Sequence, residues 1–213
     1  MTTRKPNSAN NIWILAPSFG ICLFILLYIV AALVYPGGSD TDNHEKGFNI
    51  LTNYWCDLLG EHAKNGDRNK ARPVAMIAMA VLCASVFLFW FHVPKLFSAD
   101  KYNHHTIRFS GMISMVIPLF LSTAYHDTVI NVSGFFGVIA LFVTIMGLYK
   151  IHSYKLFVLG LFCILLVIVN NYVYHTGHFM YYLPVIQKIT FLFFLLWFCL
   201  IDIAIYREMK LAV

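Results

Sequence analysis

The sequence predicts an all-α polytopic membrane protein: a bundle of six transmembrane helices with an amphipathic helix in its one long loop. Three observations predict it. Hydrophobic residues make up 60% of the 213 positions and charged residues 12%, whereas soluble domains run near one-quarter charged. Apolar runs recur along the chain at close to the roughly 20 residues that a spanning helix needs. Those runs are apolar all round, as in FLFFLLWFCLI. They lack the period-2 alternation of a membrane barrel, and backbone in lipid must satisfy its hydrogen bonds internally.

The elements follow in order. Arg4 and Lys5 precede the run Ile12–Tyr35. It is too long for the apolar stretch of a cleavable signal, and no small-residue cleavage site follows. It therefore predicts a first span behind a short cytoplasmic tail, residues 1–11. Residues 36–72 form the long loop, placed outside the cytoplasm, opened by the turn PGGSD and closed by NGDRN. Between them FNILTNYWCDLLGEHA reads as helical. Phe48, Leu51, Trp55, Leu58 and Leu59 make an apolar face, and Asn49, Asn53, Asp57 and Glu61 a polar stripe at i, i+4 spacing. Such a helix lies flat on the bilayer or caps the bundle. Its stripe reads as a solvated face or as a functional one, and Asn and Asp are poor helix formers. Further spans follow at Pro73–Phe91, Phe109–Tyr125, Val129–Tyr149, Leu156–Tyr174 and Tyr182–Tyr206, with Tyr and Trp near their ends as interfacial belts require. No internal repeat appears, so residues 1–213 read as a single transmembrane domain.

The net charge of +5 does not point to nucleic acid, because Lys and Arg are scattered between apolar runs without forming a stripe. They act as topology determinants. Arg4, Lys5, Lys95, Lys101, Arg108, Lys150, Lys155, Arg207 and Lys210 fall on one side, against a cluster in the long loop alone on the other. That bias places both termini in the cytoplasm of a cell that reads as bacterial, in its inner membrane, although Lys70 and Arg72 argue the other way. The five cysteines are scattered without CxxC spacing, as for small buried hydrophobes.

Placing polar residues on the six-span map gathers His126, Asp127, His175 and His178 at one membrane face, with Asp57, Glu61 and His62 of the long loop. His175 and His178 share a helix face with Asn171 if the fifth helix continues past Gly177. Two imidazoles at i, i+3 and His126 from a facing helix supply three nitrogen ligands for zinc, leaving a fourth position for water. Asp127 or Asp57 then serves as general base or as partner to a ligand, and zinc brings its water to a pKa near ~7. The competing readings are interfacial caps at headgroup level and metal-free acid–base chemistry. Lys188 snorkels to the interface or approaches Asp57 or Asp127. Asp202 reads as a capped acid near the cytoplasmic boundary, beside Arg207.

Two resemblances attach to these residues. YPGG followed by FNILTNYWCDLLG, between a first and second span, resembles a bacterial integral membrane family of unknown function related to the Frag/DRAM/Sfk group. Asn53, Asp57, Leu58 and Gly60 match its Asn…Ser-Asp-Leu-Gly pattern, with one Leu inserted and Cys56 where Ser is usual. His126 fits that family's later His. The resemblance implies a six-helix bundle and no particular activity. Ser122-Thr-Ala-Tyr-His126 is similar to the first zinc-holding element of the alkaline ceramidase and adiponectin-receptor membrane hydrolases. His175-Thr-Gly-His178 is one residue shorter than their His-x-x-x-His. This second resemblance implies zinc on His126, His175 and His178, with Ser122 beside it.

Three functions are then in competition. One is a zinc-dependent hydrolase of a lipid-like amide or ester, with Asp127, Asp57 and Ser122 in catalysis and Asn53, Asn171 and Lys188 holding substrate. Another is a non-enzymatic protein that binds, transports or senses a lipid. The third is a structural subunit, favoured if the polar groups prove mutually satisfied.

Overall fold

The computed structural model describes residues 8–97, 101–120 and 126–211. Over them the chain is all-helical, with six α-helices: α1 (Ala16–Leu33), α2 (Arg72–His92), α3 (Lys101–Val116), α4 (His126–Lys150), α5 (Tyr154–Thr176) and α6 (Leu183–Leu211). Five segments are long and apolar enough to cross a membrane: Ile12–Leu33, Arg72–Leu96, Asn131–Lys150, Tyr154–Thr176 and Met180–Lys210. The protein is therefore a multi-pass membrane protein, and five expected spans are met within a few residues at either end.

The third expected span, Phe109–Tyr125, differs. α3 starts earlier, at Lys101, and ends at Val116, where the chain tightens into a 3-10 turn, Ile117–Phe120. Pro118 accounts for the stop, because its ring clashes with the preceding turn and it has no N–H to donate. Residues 121–125 lie outside the described residues. The 16 residues of α3 extend about 24 Å at 1.5 Å each, short of a ~30 Å hydrocarbon core.

Two compact units divide the chain. The first comprises residues 1–21, 82–157 and 197–213, and the second residues 22–81 and 158–196. In the first, rings of α2 and α6 interlock, Phe89 with Phe198 at 4.5 Å and Trp90 with Phe198 at 5.8 Å between centroids. Trp197 Nε1 donates to the Leu156 carbonyl at 2.8 Å. α3 lies so close to Trp90 that a Cβ on Gly111 would come within 2.3 Å of the indole, so glycine is what permits that packing. Ser133 of α4 donates to the Ser114 carbonyl of α3 at 2.7 Å. Arg108 sits 4.7 Å over the Phe91 ring, a cation–π contact.

In the second unit the connection between α1 and α2 is an ordered cap of a different kind from the one expected. Phe48–Ala63 does not form an amphipathic helix; a single 3-10 turn, Trp55–Leu59, is its only helical part. Short polar side chains defeat the helix by bonding backbone locally. Asn49 Oδ1 accepts the Leu51 N–H at 2.8 Å, and Asn53 Oδ1 accepts the Asn49 N–H at 2.9 Å. The chain instead makes two tight reversals. One is closed by the Gly38 N–H to the Glu45 carbonyl at 2.7 Å, the other by the Ala63 N–H to the Asp67 carbonyl at 2.8 Å. The Asn65 N–H donates to the Gly37 carbonyl at 3.2 Å and joins them. Gly38 sits at φ +80°, and a Cβ there would meet the Asn65 nitrogen at 2.3 Å, so the junction requires glycine. Trp55 anchors the cap to the spans, its ring 5.0 Å from Tyr28 of α1 and 4.9 Å from Phe191 of α6.

Candidate functional site

The densest polar cluster among the described residues is built inside this cap. Asn53 is fully enclosed and Asp57 and Asn69 nearly so, so each polar atom needs a partner. Asn53 Nδ2 donates to the Gly38 carbonyl at 2.7 Å and to Asp57 Oδ2 at 3.1 Å. Asp57 Oδ2 also accepts the Tyr54 N–H at 2.9 Å, and its Oδ1 lies 3.7 Å from Lys64 Nζ. Lys64 is bonded more tightly to Asp40, at 2.5 Å. Asn69 Nδ2 lies within 3.1 Å of the carbonyls of Asp57, Leu58 and Gly60, while its Oδ1 accepts the Ala71 N–H at 3.0 Å just ahead of α2.

Lys188 closes the cluster from α6. It is buried, donates to the Asn53 carbonyl and to the Pro184 carbonyl at 3.1 Å, and stands 5.7 Å from the centre of the Phe48 ring. It therefore ties the cap to the helix and does not snorkel outward.

The electrostatics follow from burial. Enclosure pushes the Asp57 carboxyl above its ordinary 3.8, even though the Asn53 amide, Lys64 and the Tyr54 N–H all favour the anion. The Cys56 thiol, although exposed, is raised by desolvation and then by the Asp57 carboxylate, and nothing around it lowers it enough to make an activated nucleophile. Burial alone would lower the Lys64 ammonium; the Asp40 bond and the attraction of Asp57 outweigh it and leave the group raised.

The expected site residues separate. Asn53, Asp57 and Lys188 come together, as mutually bonded scaffold. His175, His178 and Asn171 are exposed at the end of α5, and they take no part in the bonds of the cap given above. Asn171 Nδ2 is spent on the Val167 carbonyl at 2.9 Å within its own helix. α5 ends at Thr176, with Gly177 at φ +70°, so His178 lies beyond the helix and does not share a face with His175. A left-handed residue at this position is the usual way a helix stops. His126 and Asp127 open α4, but their side chains lie outside the described residues, as does Ser122 entirely. Among the described residues no three His, Cys, Asp or Glu side chains are grouped to hold a metal.

Asp202 departs from expectation more sharply. It is completely enclosed, not an interfacial acid beside Arg207, and its partner is Ser18 of α1, whose hydroxyl and backbone N–H donate to Oδ2 at 2.7 and 3.3 Å.

Two residues went unassigned in the sequence. Lys64 carries no local pattern, whereas Asn69, just before the helix start at Arg72, had a usable signal in the preference of Asn for bonding backbone at helix entrances.

The rim of the cap adds a shallow cleft of about 480 Å3 lined by Val34, Pro36, Asp67, Arg68 and Lys70. No family model, curated protein or solved structure matches the chain.

Proposed function

We propose that this is a non-enzymatic lipid-binding membrane protein whose cap seats an anionic headgroup in the cleft of Val34, Pro36, Arg68 and Lys70. The observation that carries the reading is the cleft itself, where Val34 and Pro36, just past the first span, meet two cations, Arg68 and Lys70, and the single carboxylate of Asp67. The cap's charge supports it. Asp40 and Asp57 are engaged by Lys64, Glu61 by Arg72 at 2.9 Å, Glu45 by Asn49 and Thr52, and Asp67 by Asn65 at 2.9 Å. Arg68 and Lys70 are exposed and make no ion pair among the described residues. Among the residues that line the cleft, Arg68 and Lys70 outnumber Asp67, so its surplus charge is positive and lies where the first two spans end, the level at which basic side chains meet phosphate. The polar groups that a hydrolase would need free, Asp57, Asn53 and Lys188, are instead consumed by one another.

The test is thermal stabilisation of the purified chain in nanodiscs of phosphatidylcholine alone or mixed with phosphatidylglycerol. Anionic lipid raises the unfolding midpoint, a chelator leaves that rise unchanged, and Arg68→Gln with Lys70→Gln abolishes it. A rise that survives the double variant sinks the cleft as the site, and one lost to chelator returns the reading to zinc on His126, His175 and His178.

The same reading keeps six crossings, with Lys101–Phe120 in the third, both termini cytoplasmic and the cap outside. The Lys and Arg bias supports it. Single-cysteine labelling from either side at Asn43 and Glu208, both exposed, checks it: opposite faces are expected.

A further inference from the structure

Asp202 lies within the last of the apolar spans and is completely enclosed. One carboxyl oxygen, Oδ2, receives both donors of Ser18. The other, Oδ1, is also buried and has no hydrogen-bond partner among the described residues. No Lys, Arg or His of the described residues stands within 4.0 Å of either oxygen. α1 brings no titratable side chain between Ala16 and Ile21 except Ser18's hydroxyl, which stays neutral. α2, packed on α1 where Ser85 meets Gly20, brings His92, which bonds the Ile14 backbone. α6 itself carries Cys199 and the exposed Arg207.

An ionised carboxylate enclosed among apolar groups is far costlier than the neutral acid unless it is paired and fully bonded. One serine on one oxygen falls short of that. A lone pair left unmet on Oδ1 is where a proton sits at least cost. Ser18 gives the anion two donors, its hydroxyl and its backbone N–H. The anion is thus tolerable for the time a proton is away.

We propose that Asp202 is a proton-binding site inside the membrane-spanning part of the chain, resting as the neutral acid with its proton on Oδ1 and Ser18 holding Oδ2. The group releases that proton to water and regains it, one per chain, and Ser18 positions the carboxyl in both forms. The site is separate from the headgroup cleft and stands or falls without it.

The test uses the whole chain in detergent micelles and N,N′-dicyclohexylcarbodiimide, a lipid-soluble reagent that adds to a protonated carboxyl and not to a carboxylate. Adducts are mapped by mass spectrometry on the wild-type chain, so the result does not depend on a variant folding. The expected outcome is an adduct on Asp202 that falls by about tenfold or more from mildly acid to alkaline pH. It is unchanged when choline chloride is replaced by sodium chloride at the same ionic strength. Ser18→Ala moves the profile to higher pH by roughly half to one unit, because the anion loses a donor; a Ser18 that only packs leaves the profile in place. Asp202→Asn removes this adduct and no other. No adduct on Asp202 at any pH overturns the proposal, and so does suppression by sodium at fixed pH, which marks a cation site instead.

Discussion

Asp57 and Asp202 are both nearly or wholly enclosed, yet they are held very differently. Asp57, in the cap, receives the Asn53 amide, the Tyr54 N–H and the attraction of Lys64. Asp202, in a spanning helix, receives Ser18 alone among the described residues, on one oxygen. The cap draws on side chains and turns that are free to fold around an acid, whereas a span commits its backbone to its own helix and has few donors left. A saturated network specifies structure, while an acid with an oxygen to spare keeps chemistry available.

The comparison breaks most readily at Asn53. Asn53→Ala removes both amide bonds and the acceptor for the Asn49 N–H, and is expected to cost about 3 kcal/mol or more. Ser18→Ala is expected to cost only about 1 kcal/mol. Thermal unfolding in one detergent measures both, and equal losses would erase the distinction. Gly38→Ala comes next, at about 2–3 kcal/mol, since it needs the left-handed region and displaces Asn65. Unchanged stability there would mean that the two reversals of the cap are not joined as described.

Smaller effects sharpen the comparison within the cap. Asp57 is held above its ordinary 3.8 by burial, so the folded chain binds its proton more tightly than the unfolded chain. Its contribution improves as pH falls from neutral through that raised value towards 3.8. Glu45 is lowered, by the Asn49 hydrogen bond first and by Thr52 after it. Its stabilisation is present above 4.5 and is lost as pH falls through the lowered value. Stability–pH curves of Asp57→Asn and Glu45→Gln should therefore diverge from wild type with opposite slopes. Parallel curves would contradict the burial of Asp57. The smallest change is Lys64→Met, under about 1 kcal/mol because the Asp40 partner is exposed. The raised Lys64 stabilises below 10.5 and stops doing so as pH rises through its folded value. Hydrogen exchange at the Asn65 amide detects its loss.

The spans were legible because an apolar run of twenty residues has few alternatives, whereas the expected third ran straight through Pro118, whose power to stop a helix was not weighed. The cap was misread because FNILTNYWCDLLGEHA has helical spacing, while Asn49 and Asn53 spend their side chains on nearby backbone. Spacing records which residues share a face and is silent about that competition. Asn53, Asp57 and Lys188 were found as a group, but their roles were not, since only packing shows that each is already bonded. Asp202 near the end of its run suggested an interface. Ser18, which encloses it, is 184 positions away, beyond any local pattern.

The bond from Lys188 to the Asn53 carbonyl spans 135 positions of sequence, and its consequence is temporal. The chain is made from its N-terminus, so the cap emerges after α1 and well before its anchor in α6. Until then Asn53 has its own amide network but an unmet carbonyl, and Trp55 lacks Phe191. The cap is completed only when α6 arrives. A chain halted before α6 would carry the sequence of the cap without its finished form, a distinction that quality control at the membrane can read.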